Sequence, residues 1–170
     1  MKKLLTAVVL LGSLNFAGAQ VYTASIDGDQ EVPTNSTAGN LFLVGAASFT
    51  LSGALLTCDS GYFEIQGTPT VATVNDGAPG VNGPALFNLN IISPNDPLGY
   101  SSALLGGSGA LTSQQIIDLM NGDLYVNVPS TTFPDGELRG QIVPEPSTLA
   151  LLGMSSVVFL GGLRRQWRAR

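Results

Sequence analysis

An all-β sandwich with one short helix, flanked by two terminal hydrophobic helices, is the fold class that the sequence predicts. Between Gln20 and Ile142, short apolar and β-branched runs alternate with Gly, Pro, Asn and Asp clusters at the spacing of sandwich strands. One stretch, Thr112 to Gly122, has helical periodicity with stop signals on both sides. At each end an apolar run is bounded by basic residues: Lys2 and Lys3 precede Leu4 to Leu14, and Arg164, Arg165, Arg168 and Arg170 follow Leu149 to Leu163.

Residues 1–19 read as a secretory signal peptide. The apolar run is too short to cross about 30 Å of hydrocarbon. The small residues Ala17, Gly18 and Ala19 place cleavage after Ala19, with Gln20 as the mature N-terminus. Strands are expected near Val21 to Ile26, Ala46 to Leu51, Leu55 to Cys58, Tyr62 to Ile65, Thr70 to Val74, Ala85 to Ile92, Leu124 to Val128 and Leu138 to Val143. In the sixth, Phe87, Leu89 and Ile91 fall on one face, with Leu86, Asn88 and Asn90 on the other, as a half-buried strand requires. Ser93 to Gly99 is a turn on its Pro, Asn, Asp and Gly content. Thr112 with Gln115 forms a capping box, Asn121-Gly122 gives a left-handed stop, and Ile116, Leu119 and Met120 recur at helical spacing between them. Residues 143–170 form a separate tail.

Charge placement bears on destination. Six of the seven Lys and Arg residues lie in the two terminal segments, and only Arg139 stands between them. Positive charge resists translocation, so basic ends bracket a segment that is exported. Of twelve acids only Glu145 lies in the tail, leaving eleven against Arg139 and a net charge of −10 for the exported part. Such a surface repels phosphates and excludes nucleic acid as a partner. Cys58 is the one cysteine, so no intramolecular disulfide forms, and it reads as a small buried hydrophobe.

The chain has no histidine. Copper or zinc held by imidazoles is excluded, and so are Ser-His-Asp and Cys-His nucleophilic machineries. Carboxylate chemistry remains, but a glycosidase needs two carboxyls facing across a cleft at roughly 5 to 10 Å, and most acids here lie in turns. No catalytic residue, metal ligand or cofactor is therefore assigned. If the first strand continues through Gly28, Asp27, Asp29 and Glu31 alternate onto one face and could offer oxygens to Ca²⁺. A lone cation in so acidic a domain will seek a carboxylate, and the expected structural ion pair is Glu31 with Arg139, tying the first strand to the last.

Val143-Pro144-Glu145-Pro146, the short apolar run and the terminal Arg164, Arg165, Arg168 and Arg170 together resemble the PEP-CTERM sorting signal of Gram-negative bacteria. The resemblance implies a transient partner, a membrane protease of the exosortase type, which recognises the motif, removes the helix, and releases or re-anchors the protein at the cell surface. Two prolines hold the motif extended, as a protease needs. Leu149 to Leu163, with Gly153, Gly161 and Gly162, falls short of a bilayer span and makes a marginal anchor.

Several phrases of the middle segment occur in the order and spacing of the CHRD domain, named for chordin, an extracellular antagonist of growth factors. They are Asp29-Gln30-Glu31-Val32-Pro33, Ala47-Ser48-Phe49, Gly80-Val81-Asn82-Gly83-Pro84, Leu111-Thr112-Ser113, Leu124-Tyr125-Val126-Asn127-Val128 and Gly136-Glu137-Leu138-Arg139-Gly140-Gln141-Ile142. This resemblance implies a single Greek-key sandwich of immunoglobulin-like or superoxide-dismutase-like type. Where such sequences carry a His-x-His pair and a further histidine, this one has Thr73, Asn75 and Pro129.

The expectation is a non-catalytic protein that passes the inner membrane transiently and ends at the cell surface or in the extracellular matrix. It would associate there with exopolysaccharide or envelope proteins. The alternative is a carboxylate-based calcium-binding protein or enzyme of the envelope, and the chordin resemblance adds a secreted module that antagonises a protein ligand.

Overall fold

Alternation of side chains, one inward and one outward, builds every strand. In β2 (Gly45–Ser52), Gly45, Ala47, Phe49 and Leu51 are buried while Ala46, Ser48, Thr50 and Ser52 face outward. The computed structural model describes residues 19–34, 45–65, 67–92 and 101–145. The two terminal hydrophobic helices expected from the sequence lie outside these residues, as do Ala17, Pro146 and the four C-terminal arginines. No helix among the described residues is long and apolar enough to cross a membrane.

The other elements are β1 (Gln20–Ile26), β3 (Leu55–Ile65), β4 (Ala72–Asp76), β5 (Ala85–Ile92), β6 (Ser101–Ala110), α1 (Ser113–Asn121), β7 (Leu124–Val128) and β8 (Leu138–Pro144). They close an antiparallel barrel in the order β1-β2-β3-β6-β5-β4-β7-β8. Strands β4, β5 and β6 follow one another as neighbours, and β7 returns through α1 to lie beside β4, which is the Greek-key arrangement.

The expected sandwich differs from this barrel at its seams. β5 pairs with β4 through Leu89 and with β6 from Asn90 onward, while β8 pairs with β7 through Gln141 and with β1 from Ile142 onward. Each of these strands belongs to both sheets, so the two layers join at both sides and no edge is left open.

Tyr22, Ile26, Phe49, Leu56, Phe63, Ile65, Val74, Leu124, Val126, Leu138 and Ile142 fill the interior. Helix α1 closes one end. Its capping box is formed by Thr112 and Gln115, Gly122 caps it at φ +79°, and Leu119 is buried in the core with Ile116 packed beside it. Cys58 is also core; its burial pushes the thiol up to about 11, which keeps it inert.

Two departures from the sequence expectation have local causes. The strands expected at Leu55 to Cys58 and Tyr62 to Ile65 are one strand, β3, interrupted by a bulge where pairing skips from Cys58 to Gly61. β6, in a stretch to which the sequence reading assigns no element, contains Gly106, Gly107 and Gly109. Glycine shows no hydropathy alternation, yet these residues are structural: a Cβ on Gly109 would meet the Phe87 ring, whose Cε1 would lie at 2.7 Å. Phe87 of β5 thus covers the space that a β6 side chain would fill. Gly109→Val will displace that ring and lower stability by about 1 to 3 kcal/mol in urea unfolding, with Gly106→Ala on the same strand as a control in open space.

Candidate functional site

The outer face of β4, β7 and β8 is polar and yet covered. Leu124, Val126 and Val128 point inward along β7, so Tyr125 and Asn127 point out; by the same alternation Glu137, Arg139 and Gln141 stand out from β8, and Thr73 and Asn75 from β4. Register sets Thr73, Asn127 and Arg139 in one cross-strand row, and Asn75, Tyr125 and Gln141 in the next. The loop from Gly77 to Pro84 folds over this face and the turn from Asp27 to Thr34 borders it.

Arg139 is 1 % exposed and organises the cover. Its guanidinium donates hydrogen bonds to the carbonyls of Ala78 (3.0 Å) and Val81 (3.1 Å), to Asn82 Oδ1 (3.2 Å) and to Gln141 Oε1 (3.3 Å). It also lies 3.6 Å from the centroid of the Tyr125 ring, its diagonal neighbour across the strand pair. The Tyr125 hydroxyl accepts from the Gly83 N–H at 3.1 Å, so the same two side chains clamp the loop at both its middle and its end. Gln141 continues the network: its Nε2 donates to the carbonyls of Gly77 and Gly122, and its backbone N–H donates to Gln30 Oε1 at 3.0 Å.

Glu31 lies beside this centre, 6 % exposed, in a cavity of about 410 Å³ that Val32, Pro33, Pro79, Arg139 and Gln141 also line. Burial pushes its carboxyl up to about 7, against the opposing pull of the Val32 N–H and of Arg139. Arg139 feels the converse: burial lowers its pKa, and the nearby Tyr125 and Glu31 raise it. Charge therefore couples Glu31 and Arg139 through space, while none of the hydrogen bonds described for the guanidinium goes to Glu31. Glu31 Oε1 has no hydrogen-bond partner among the described residues.

The calcium arrangement does not form. β1 ends at Ile26, and Asp27 turns the chain by accepting from the Gln30 N–H (3.0 Å) and Gln30 Nε2 (2.7 Å), which commits its carboxylate. Asp29 then faces solvent and Glu31 the interior, so the three acids share no face. Among the described residues no three His, Cys, Asp or Glu side chains gather to hold a metal. The positions of the expected histidines do not fit one either: Thr73 Oγ1 donates to Asn75 Oδ1 at 2.6 Å, Asn75 Nδ2 donates to the Gly83 carbonyl at 3.0 Å, and Pro129 offers only a backbone carbonyl, already bonded to Thr70.

A family model for the CHRD domain matches residues 22–142. The chain belongs to the CHRD family. Four of the six phrases that carry the resemblance thus meet in space, since Gln30 and Glu31, the Gly80 to Pro84 loop, Tyr125, and Arg139 with Gln141 are the parts of the centre just described. A second model, the PEP-CTERM protein-sorting motif, matches residues 143–166. Neither is an enzymatic family. A search of curated proteins finds no match to the chain.

The sorting motif begins inside the CHRD barrel. Val143 and Pro144 are the last residues of β8, paired with Thr23 and Tyr22 of β1, and the Glu145 N–H donates to the Val21 carbonyl at 3.2 Å. All three motif residues are exposed and extended. Gln20, the expected first residue after signal cleavage, lies at the same end of β1. Sequence reasoning missed this proximity, as it missed Tyr125, Asn82 and Gln30 around Arg139; the one available signal was an aromatic on the polar face of β7.

Two predictions come from the Arg139 centre. Arg139→Lys keeps the charge but loses the planar fork, so stability will fall by about 2 to 4 kcal/mol and hydrogen exchange will quicken at the Val81 and Gly83 amides ahead of the barrel core. The Glu31 carboxyl is raised in the folded state, so the native protein holds its proton more tightly than the unfolded chain. That contribution is complete below pH 4.5 and is lost as pH rises through about 7. Between those limits the native protein will lose on the order of 3 kcal/mol relative to Glu31→Gln, read as the difference between the two proteins' urea midpoints across pH.

Proposed function

We infer that this chain is an exported, non-catalytic protein of the cell surface or extracellular matrix, delivered through its Pro-Glu-Pro signal. The match to a sorting motif supports export by an exosortase-type route, with processing at the membrane followed by a surface-associated or extracellular state. In this reading residues 1–19 are a signal peptide cut between Ala19 and Gln20, residues 20–142 are the working domain, and residues 143–170 are the address. The tail helix holds the protein at the inner membrane until the protease acts.

The observation that carries the reading is the position of Val143, Pro144 and Glu145: exposed and extended where the last strand of the closed barrel runs out, paired to β1 only at its end. A protease can reach such a segment after peeling a few terminal hydrogen bonds. We take Glu31 and Arg139 as a through-space ion pair that fixes the turn after β1 against β8, supported by the shift that each imposes on the other. The acidic surface favours neutral or basic partners, among them neutral exopolysaccharide and basic envelope proteins.

Pro144→Ala combined with Glu145→Ala tests the route. Both side chains are exposed, so the barrel will keep its melting temperature. In cells the variant will accumulate in the inner-membrane fraction with its tail attached, seen by immunoblotting of fractionated envelopes. Arrival of the variant at the surface in wild-type amount would show that the motif does not direct sorting.

A further inference from the structure

Among the described residues nine large apolar side chains are exposed, and five of them, Val21, Leu55, Ile117, Met120 and Val143, belong to one end of the barrel. Register establishes the grouping. Gln20 lies opposite Leu51, the β2–β3 turn brings Ser52 opposite Leu55, and Thr23 opposite Val143 makes Val21 and Val143 diagonal neighbours on the outer face. Helix α1 joins them, because a Cβ on Gly122 would lie 3.6 Å from Val143 Cγ1. Ile117 and Met120, three residues apart, share the outer helix face, while Ile116 and Leu119 turn toward the core.

Both chain termini leave from this same end. β1 starts here, and Glu145 is hydrogen-bonded to Val21 here. Leu149, where the apolar tail run begins, is four residues beyond Glu145, a distance of at most about 14 Å even when fully extended. A tail seated in a bilayer therefore holds this end, and no other, against the lipid surface. The turn with Asp29 lies at the opposite end of β1, away from it.

We propose that, before processing, the barrel stands on the membrane through this apolar rim, with Val21, Ile117, Met120 and Val143 entering the lipid interface and the Asp27 to Thr34 turn directed outward. The inference rests on the reading that the tail enters the membrane. Contact is apolar and not electrostatic. Asp76, Asp118 and Asp123 lie at the same end, where burial raises the pKa of Asp76 and the charges of the other two add to it, and they offer nothing to anionic headgroups. Seating the rim fixes the height and orientation at which Val143, Pro144 and Glu145 meet a protease embedded in the same bilayer.

The full chain reconstituted in phosphatidylcholine vesicles tests this, labelled with an environment-sensitive fluorophore at Met120→Cys or, as a control, at Asp29→Cys. Cys58 is buried and does not compete for the label. The expected result is flotation with the vesicles, blue-shifted emission at position 120 that lipid-borne nitroxide quenches at least twofold, and water-like, unquenched emission at position 29. The same contrast is expected in 0.5 M salt, roughly three times physiological ionic strength. Flotation with equal, water-like emission at both positions overturns the seating while leaving the anchored tail in place. Emission at 120 that is blue-shifted but not quenched by lipid means that protein covers the rim, and also overturns it. Failure to float overturns the membrane reading itself, and this inference with it.

Discussion

A buried guanidinium without an adjoining hydrogen-bonded carboxylate is the constraint on which the rest of the domain depends. Enclosing Arg139 removes hydration worth several kcal/mol, and only well-placed acceptors offset that. The chain supplies them from neutral groups: two carbonyls of the Gly77 to Pro84 loop, the side chains of Asn82 and Gln141, and the face of Tyr125. Each bond to a charged group contributes about 1.5 to 3 kcal/mol. The loop has no apolar core of its own and holds its shape because Arg139 does. Glu31 adds long-range attraction from the other side of the cavity, and its own raised pKa reflects how little solvent remains there.

Closure of the barrel depends on the same strand. β8 carries Arg139 on the half that pairs with β7, then crosses to β1 with Ile142, Val143 and Pro144. A strand shared between two sheets must hold its register on both sides, since a slip of one residue would turn Arg139 into the core and Leu138 out of it. The bridge between Asp27 and Arg139 and the bond from Gln141 to Gln30 pin that register against β1. One consequence lies far from the arginine: the pairing that completes the barrel also brings Val21 and Tyr22 of β1 alongside the beginning of the sorting motif.

The legibility of these features in the sequence varied with how local their causes are. Helix α1 was readable to its caps because Thr112, Gln115 and Gly122 act within a few residues of one another. Strands β1, β2, β5, β7 and β8 announced themselves by alternation. β6 did not, because the side chain that completes its surface, Phe87, belongs to a different strand, and β3 looked like two strands because Asp59 and Ser60 occupy a bulge. Charge accounting singled out Arg139 before any geometry was known. Its partners were hidden, since a backbone carbonyl has no signature in sequence and Tyr125 reads equally well as core. The closed seams were hidden too, because strand switching in β5 and β8 is a matter of which neighbour each half of the strand pairs with, which hydropathy does not encode.

Thr73, Asn75 and Pro129, at the positions where the resemblance implies imidazoles, have a structural role of their own. A histidine pair facing outward from β4 would leave ring nitrogens seeking a metal or a proton. Threonine and asparagine instead satisfy each other, and the asparagine amide extends to the Gly83 carbonyl, adding a further tether to the loop that Arg139 and Tyr125 already hold. The face on which chemistry would be expected has become a packed polar layer beneath a fixed loop. Few groups there remain free to bind or react. The two ends of the barrel differ: the turn after β1 exposes Asp29 at one, while at the other Val21, Leu55, Ile117, Met120 and Val143 stand exposed beside Asp76, Asp118 and Asp123, and in the proposed seating this asymmetry along the barrel axis would orient the domain on a membrane.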